Sequence, residues 1–391
     1  MGSASAELAG AIELPTFKGR PGWEFTDMSS LDLAAYERVA PNGRADATAG
    51  AEPLWTLPDT DARPEGVIVG TLDGAEHREL IERHLGSLVS GDDDVFVALN
   101  DAGVRAGAFV YVPRGVALTQ PISLTTVQAR TGTLLNQRTL VVLEEGAQAE
   151  VWEEYLSTDG ELDGVFNAVT ELIVGNGARL RYVCGQGLAE RSWIFGAQRA
   201  EVGRDASLDW VALGFGSARG RVRMETRLSG EGAEARVTGA YATHARQHID
   251  FDTTQEHAAP NTTSDLAFRG VLQGRSTAVW KGNIIVDPGA QKTDAFQESR
   301  NLLLSKRAHA DAIPGLEIQA NDVRCTHAAA VAQVDPEQLF YLRSRGLRPD
   351  VAKRLVIEGF LSALVERFEQ GPVRERLADA LERRLELILA D

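Results

Sequence analysis

Cysteine is almost absent from this sequence: its 391 residues carry two, Cys184 and Cys325, far apart in the chain. So few thiols cannot build the disulfide framework of a small secreted domain. Positive charge is short as well. Forty Lys and Arg face 56 Asp and Glu, for a formal net charge of -16. A nucleic-acid binder carries a basic excess or patch, so a nucleic-acid partner is not expected. No run approaches 18 consecutive apolar residues, the length a membrane-crossing helix needs. The start, "MGSASAELAGAIELPTFKGR", lacks the basic and apolar regions of a signal peptide. Ala6 also breaks the myristoylation pattern, which needs Ser or Thr at that place. These absences point to the cytoplasm.

The common catalytic signatures are missing too. There is no G-x-x-x-x-G-K-[ST]; "GAQKT" (Gly289 to Thr293) is a fragment of it. "GFGSARG" (Gly214 to Gly220) is not a dinucleotide-binding turn, and neither G-x-S-x-G nor H-E-x-x-H occurs.

What is present changes character twice along the chain. Residues 1–91 are mixed. "PGWEFTDMSSLDLAAYE" offers Ser29 and Ser30 as caps for a short helix, and "DGAEHRELIERHLGSLV" reads as an amphipathic helix. "APNGRADATAGAEP" between them is a loose loop, and Trp23 and Phe25 read as anchors pinning this arm to the body.

Across residues 92–332 short apolar runs follow one another: "VFVAL", "AFVYV", "RTLVVLEE", "VFNAVTELIV", "SLDWVALG" and "STAVWKGNIIV" among them. Gly, Asn and Asp separate them, as they separate strands. Almost no helix-period segment intervenes, which excludes a doubly wound fold. A loose repeat sets glycine before a strand at Gly146, Gly177, Gly203 and Gly232, at intervals of 31, 26 and 29. That spacing suits stacked coils of a parallel β-helix better than the competing two-sheet sandwich.

Residues 333–391 turn helical. Asp335 and Pro336 open one helix, which Gly346 closes. Ala352, Val356, Phe360, Leu364 and Phe368 form one apolar stripe, and Leu377, Leu381, Leu385 and Ile388 another. These helices are expected to cap the coil stack, because an open end exposes unpaired strands.

Histidine and cysteine carry what chemistry there is. His77 and His84 on the early helix, and His309, are expected at the surface; His244 and His248 belong to a strand or its edge. His257, in the polar stretch "TTQEHAAPNTTSD", is the more suspicious one, and Cys184 reads as a small core residue. In "DVRCTHAAAV", Cys325 and His327 stand two apart, on one face if the segment is a strand. Three readings stay open. They are core side chains, a nucleophile with its base but no orienting third residue, or ligands for iron or zinc. Two donors do not complete a metal site, so further ligands would have to come from elsewhere.

The stretch Ala295 to Leu347 resembles the core signature of the SufB/SufD family of iron-sulfur cluster assembly proteins. It carries "RNLLLS" (from Arg300), Pro314 with Leu316 to Ile318, "DV-x-C-x-H" (from Asp322) and "LFYLRSRG" (from Leu339). "GWEFTD" (Gly22 to Asp27) and the stretches from Phe96 to Ile122 and from Glu256 to Val286 resemble it as well. The short chain, with no cysteine before Cys184, is more similar to SufD-type members than to SufB-type ones. The resemblance implies a mainly β fold: a right-handed parallel β-helix core with a mixed N-terminal region and an α-helical C-terminal region.

The resemblance also implies a non-enzymatic scaffold. It would pair with a SufB-like sister subunit through the β-helix end and dock a SufC-like ABC ATPase through its C-terminal helices. A transient Fe-S cluster would form at the seam, with His327 and Cys325 as ligands shared with the sister chain. Phe340, Tyr341, Arg343, Arg345 and Phe360 are the expected partner-binding residues. A homodimer is possible when the chain is alone, and reduced flavin is possible in the complex. Where the family usually has "C-S-H-G-A-T", this chain has Ala328 for the glycine and Ala330 for the final threonine. A SufB-like chain carrying the cluster itself is the alternative, and a β-helix enzyme acting on polysaccharides a more distant one.

Overall fold

The computed structural model describes residues 14–15, 22–39, 51–57, 63–92, 94–103 and 107–390. Two long sheets stack against each other, and the chain passes from one to the other at every half coil. One runs through the strands that begin at Ala108, Thr133, Gly164, Trp193, Arg219, His248, Thr277 and His309. The other runs through those that begin at Ile122, Gln148, Arg179, Ser207, Glu234, Thr263, Asp294 and Arg324. Pairing is parallel throughout, except where Ile68–Thr71 adds antiparallel to Ala108–Val112. This is the parallel β-helix that the strand texture and glycine spacing predict.

The register fixes the coil. Paired residues lie 27 apart where Ser207 meets Glu234 and 32 apart where Thr277 meets His309. A column of left-handed residues holds that spacing: Gly115, Gly146, Gly177, Asp205, Gly232, Asn261 and Lys292. Each donates its amide to the carbonyl one coil further on, as from Gly146 to Asn176 (2.9 Å) and from Asn261 to Gln291 (2.9 Å). Glycine, Asn and Asp tolerate this conformation best, which explains most of the column. The sequence repeat placed its third glycine at Gly203; the turn residue there is Asp205.

Between the sheets, Trp210, Trp280, Tyr182, Phe268 and their neighbours fill a continuous core. The outer face of the first sheet is covered by the N-terminal arm. Trp23 packs on Phe96 and Phe195, and Arg221 lies over its ring, so the anchor reading of Trp23 holds. "VFVAL", expected as a strand, begins the helix Val95–Gly103. Asp94 caps it by accepting from the amides of Phe96 (2.8 Å) and Val97 (3.0 Å). Asp32, rather than Ser29 or Ser30, caps the short turn of helix at Leu33–Ala35. Most of the expected loop from Ala40 lies outside the described residues.

The C-terminal helices depart from expectation in position. Pro349–Val365 and Pro372–Ala390 lie along the outer face of the second sheet. There Ile357, Leu361, Leu377 and Leu385 pack with Trp152, Val183, Val211 and Val271. Arg367 reaches Thr238 and Asp265, and Arg384 the carbonyl of Ala242. The apolar stripes are thus consumed on the flank of the stack. Among the described residues its far end, formed by His309–Ile318 and Arg324–Gln333, has no further coil upon it.

Candidate functional site at the open end

Cys325 and His327 stand on that last strand. Their register partners one coil below are Ala295 and Gln297, both buried between the sheets. Side chains alternate along a strand, so Cys325, His327, Ala329 and Val331 occupy the inward-facing column. They are open to solvent because the stack stops there, not because they point outward. His327 and Val331 are exposed, and Cys325 is half-buried beside Ala295 and Ala320. Burial, with Asp294 close by, pushes the Cys325 thiol up from its usual range. At neutral pH it is a protonated thiol that a metal or a base must deprotonate before it can ligate.

Among the described residues no group of three or more His, Cys, Asp or Glu side chains gathers as a metal site. Cys325 and His327 therefore offer two donors on one face at a free edge. Ala328 sits in extended strand, so its Cβ meets no left-handed strain where the family has glycine.

Among the remaining histidines, His309 is at the surface and His244 and His248 at strand ends as expected, whereas His257 departs. His257 is fully buried at the end of His248–His257, with Nδ1 on Thr262 (2.8 Å) and Nε2 on Ser264 (2.9 Å). It is a satisfied core group, and its polar sequence neighbours mislead because they are those very partners. His244 is buried against Glu190, His84 is half-buried, and His309 is exposed. Cys184 is a core residue whose thiol burial pushes up to about 12.

Burial lowers the pKa of His257 to about 4. Unfolded, this side chain takes its proton near 6.5; folded, it resists until about 4. The unfolded chain therefore binds more protons in that window, and stability is lost as pH falls through it. Urea unfolding midpoints should decline between pH 7 and pH 5. A His257→Gln variant should decline less, by up to about 1.4 kcal/mol per pH unit for the one proton removed. An unchanged slope would contradict the assignment.

Of the expected partner-binding residues, Phe340 is 72% exposed and Tyr341 56%. Both lie on the helix Pro336–Ser344, with Arg343 exposed beside them and Arg345 over the Tyr341 ring. Phe360 is placed apart from them: Arg269 covers its ring at 5.0 Å, and it packs toward the sheet. Sequence reasoning missed Gln297 and Asp294, the one level with His327 and the other beside the Cys325 thiol. Each sits about one coil upstream, and only the 30-residue register exposes the pairing.

Glu153 and Glu154, one of the chain's scattered Glu-Glu steps besides Glu144 and Glu145, face opposite ways. Glu153 lies in the interior on Thr139 (2.6 Å) and Tyr182; Glu154 accepts from the amide of Leu54 (2.9 Å) outside the sheet. They cannot share one substrate.

A family model for the SufBD core domain of the SUF iron-sulfur cluster assembly system matches residues 125–360, and one for the SufBD N-terminal region matches residues 56–124. The chain is 33% identical to the iron-sulfur cluster assembly protein SufD of Bacillus subtilis over 313 residues, covering 79% of this chain and 71% of that one. An iron-sulfur cluster assembly SufBD family protein of Mycobacterium tuberculosis is 32% identical over 72% of each chain. The chloroplastic protein ABCI7 of Arabidopsis thaliana is 30% identical over 95% of this chain and 83% of its own.

Proposed function

The chain belongs to the SufBD family of iron-sulfur cluster assembly proteins, and on that premise we propose that it is a SufD-like scaffold subunit. Its open β-helix end pairs with a SufB-like sister, and the helix Pro336–Ser344 docks a SufC-like ABC ATPase in the cytoplasm. One observation carries this reading: the inward column of the last coil, with Cys325 and His327, is uncovered. A second β-helix set end to end would continue the sheets and bring its own donors into reach. The nascent cluster is the cargo of that seam and not a resident cofactor of this chain. Electrons would come from outside it, from reduced flavin where the complex carries one.

The mechanism follows from connectivity. Only Val334 and Asp335 separate the last strand from the helix that bears Phe340 and Tyr341. Movement of docked ATPases on binding ATP therefore acts directly on the strand that carries His327, opening or shearing the seam. His327 then meets iron and sulfur, and closure returns the pair to a site shielded from oxidants.

Co-expression with sister subunit and ATPase tests the two surfaces separately. Val331→Glu sets a charge in the seam and should lower recovery of the sister about tenfold or more while the ATPase is retained. Phe340→Asp with Tyr341→Asp should do the reverse. Loss of neither partner in either variant would refute the assignment.

A further inference from the structure

Where the chain enters the first sheet, Arg219, His248, Thr277 and His309 are direct register partners on four consecutive coils. Two residues before the last three stand Arg246, Arg275 and Arg307, in equivalent turns and all exposed. Strands in register lie about 4.8 Å apart, so the three turns bring a row of arginines up the side of the stack. The amide of Arg275 donates to the carbonyl of Ala245 (2.7 Å), which fixes two of these turns on each other.

Elsewhere the stacked arginines alternate with acids. Arg181 and Arg236 share Asp209 at 2.9 Å and 2.6 Å, and Arg221 holds Asp250 and Asp252. Here the acids are spent otherwise or set aside. The Asp27 carboxylate accepts from the Ser29 amide (3.0 Å) while its carbonyl accepts from Arg219 (3.2 Å). The Glu24 carboxylate accepts from the Gly22 amide (2.8 Å), and Asp311 meets His309 (3.2 Å). Among the described residues the guanidiniums of Arg246, Arg275 and Arg307 have no hydrogen-bond or ion-pair partner. Like charges directly opposite on neighbouring rungs repel, and this row does so in a chain of net charge -16.

The row borders a groove of about 730 Å³, within the size range of small-ligand pockets. Arg219, Arg246 and Arg275 line it together with His248, and so do the carboxylates Glu24, Asp27 and Asp311. Phe25, Ala278 and Val279 supply an apolar wall. His248 is held through Nδ1 on Thr277 Oγ1 (2.7 Å), while its buried Nε2 has no partner.

We propose that this groove binds a phosphorylated small molecule, with two or more phosphate groups on Arg219, Arg246 and Arg275 and any organic part against Phe25. Planar guanidinium forks at rung spacing match the oxygens of adjacent phosphates and can bind them bidentately. The bridging anion removes the repulsion between rungs. The site lies at the edge of the first sheet, whereas Cys325 and His327 are on the second, so the proposal does not depend on the cluster reading.

Calorimetric titration of the full chain with inorganic pyrophosphate and with adenosine diphosphate tests it. Both should bind. Arg246→Ala with Arg275→Ala should weaken binding about tenfold or more. Arg114→Ala with Arg204→Ala removes the same charge from other exposed turns and should leave binding unchanged. Preference for adenosine diphosphate assigns a nucleotide, and preference for pyrophosphate a free polyphosphate; either is the proposed chemistry. Three results would overturn it: no binding of either probe at millimolar concentration, equal weakening in the control pair, or binding of a poly-glutamate peptide when neither phosphate binds. The last would assign the row to an acidic protein segment.

Discussion

Replacing His327 with Ala lowers the cluster content of the co-purified complex about tenfold or more while the complex still assembles. The side chain is exposed on a strand whose backbone pairing is untouched, so the change should alter stability by no more than about 0.5 kcal/mol. Whatever is lost is therefore coordination. Strand alternation supplies the control, because Thr326 points to the opposite face and Thr326→Ala should leave the cluster in place. Cys325→Ser should fall between the two at neutral pH, since its thiol is held protonated until a metal displaces the proton. The measurement is iron and acid-labile sulfide per complex after anaerobic purification. Cluster content equal to wild type in His327→Ala would end the ligand reading.

The largest stability effect is expected away from the seam, at Glu171. This fully buried carboxylate accepts from the amides of Gly86 (2.9 Å), Leu88 (2.9 Å) and Val89 (3.3 Å) and pairs with Arg138 at 2.6 Å. Arg138 is itself only 2% exposed and also reaches Asp101 and the carbonyl of Val89. One cluster thus ties the N-terminal region to the coils. Glu171→Ala leaves the buried guanidinium with only the part-exposed Asp101 and one carbonyl, and orphans three amides, and should cost about 3 kcal/mol. Adding Arg138→Met removes the stranded charge and should recover part of that loss. Urea unfolding of both variants checks it; a cost below about 1 kcal/mol, or no recovery, would show that the pair is solvated after all.

The coil stack was legible because strand texture and turn chemistry both depend on local residue type. Gly146, Gly177 and Gly232 announce the left-handed column; Asp205 and Lys292 do not, since the neighbouring coils impose that conformation on them. The helix Val95–Gly103 was hidden because a short apolar run has no period of its own, and its cap, Asp94, lies just outside it. His257 misled for a tertiary reason: Thr262 and Ser264 look like loop residues until the turn brings them back to its ring. The flank position of the C-terminal helices was not readable either, because an apolar stripe states that it will be buried but not against what. The Arg246, Arg275 and Arg307 row is periodic at 29 and 32 residues, and becomes visible only once the coil length is known.

The bare last coil bears on dosage. Its outer strands present a full set of hydrogen-bonding groups that any extended chain can meet, a foreign segment as readily as the right one. Copies with this end uncovered are therefore candidates for rod-like stacking or precipitation, and the proposed sister subunit, made in balance, would guard against both. Expression of this chain alone should yield dimers or insoluble material in proportion to its excess.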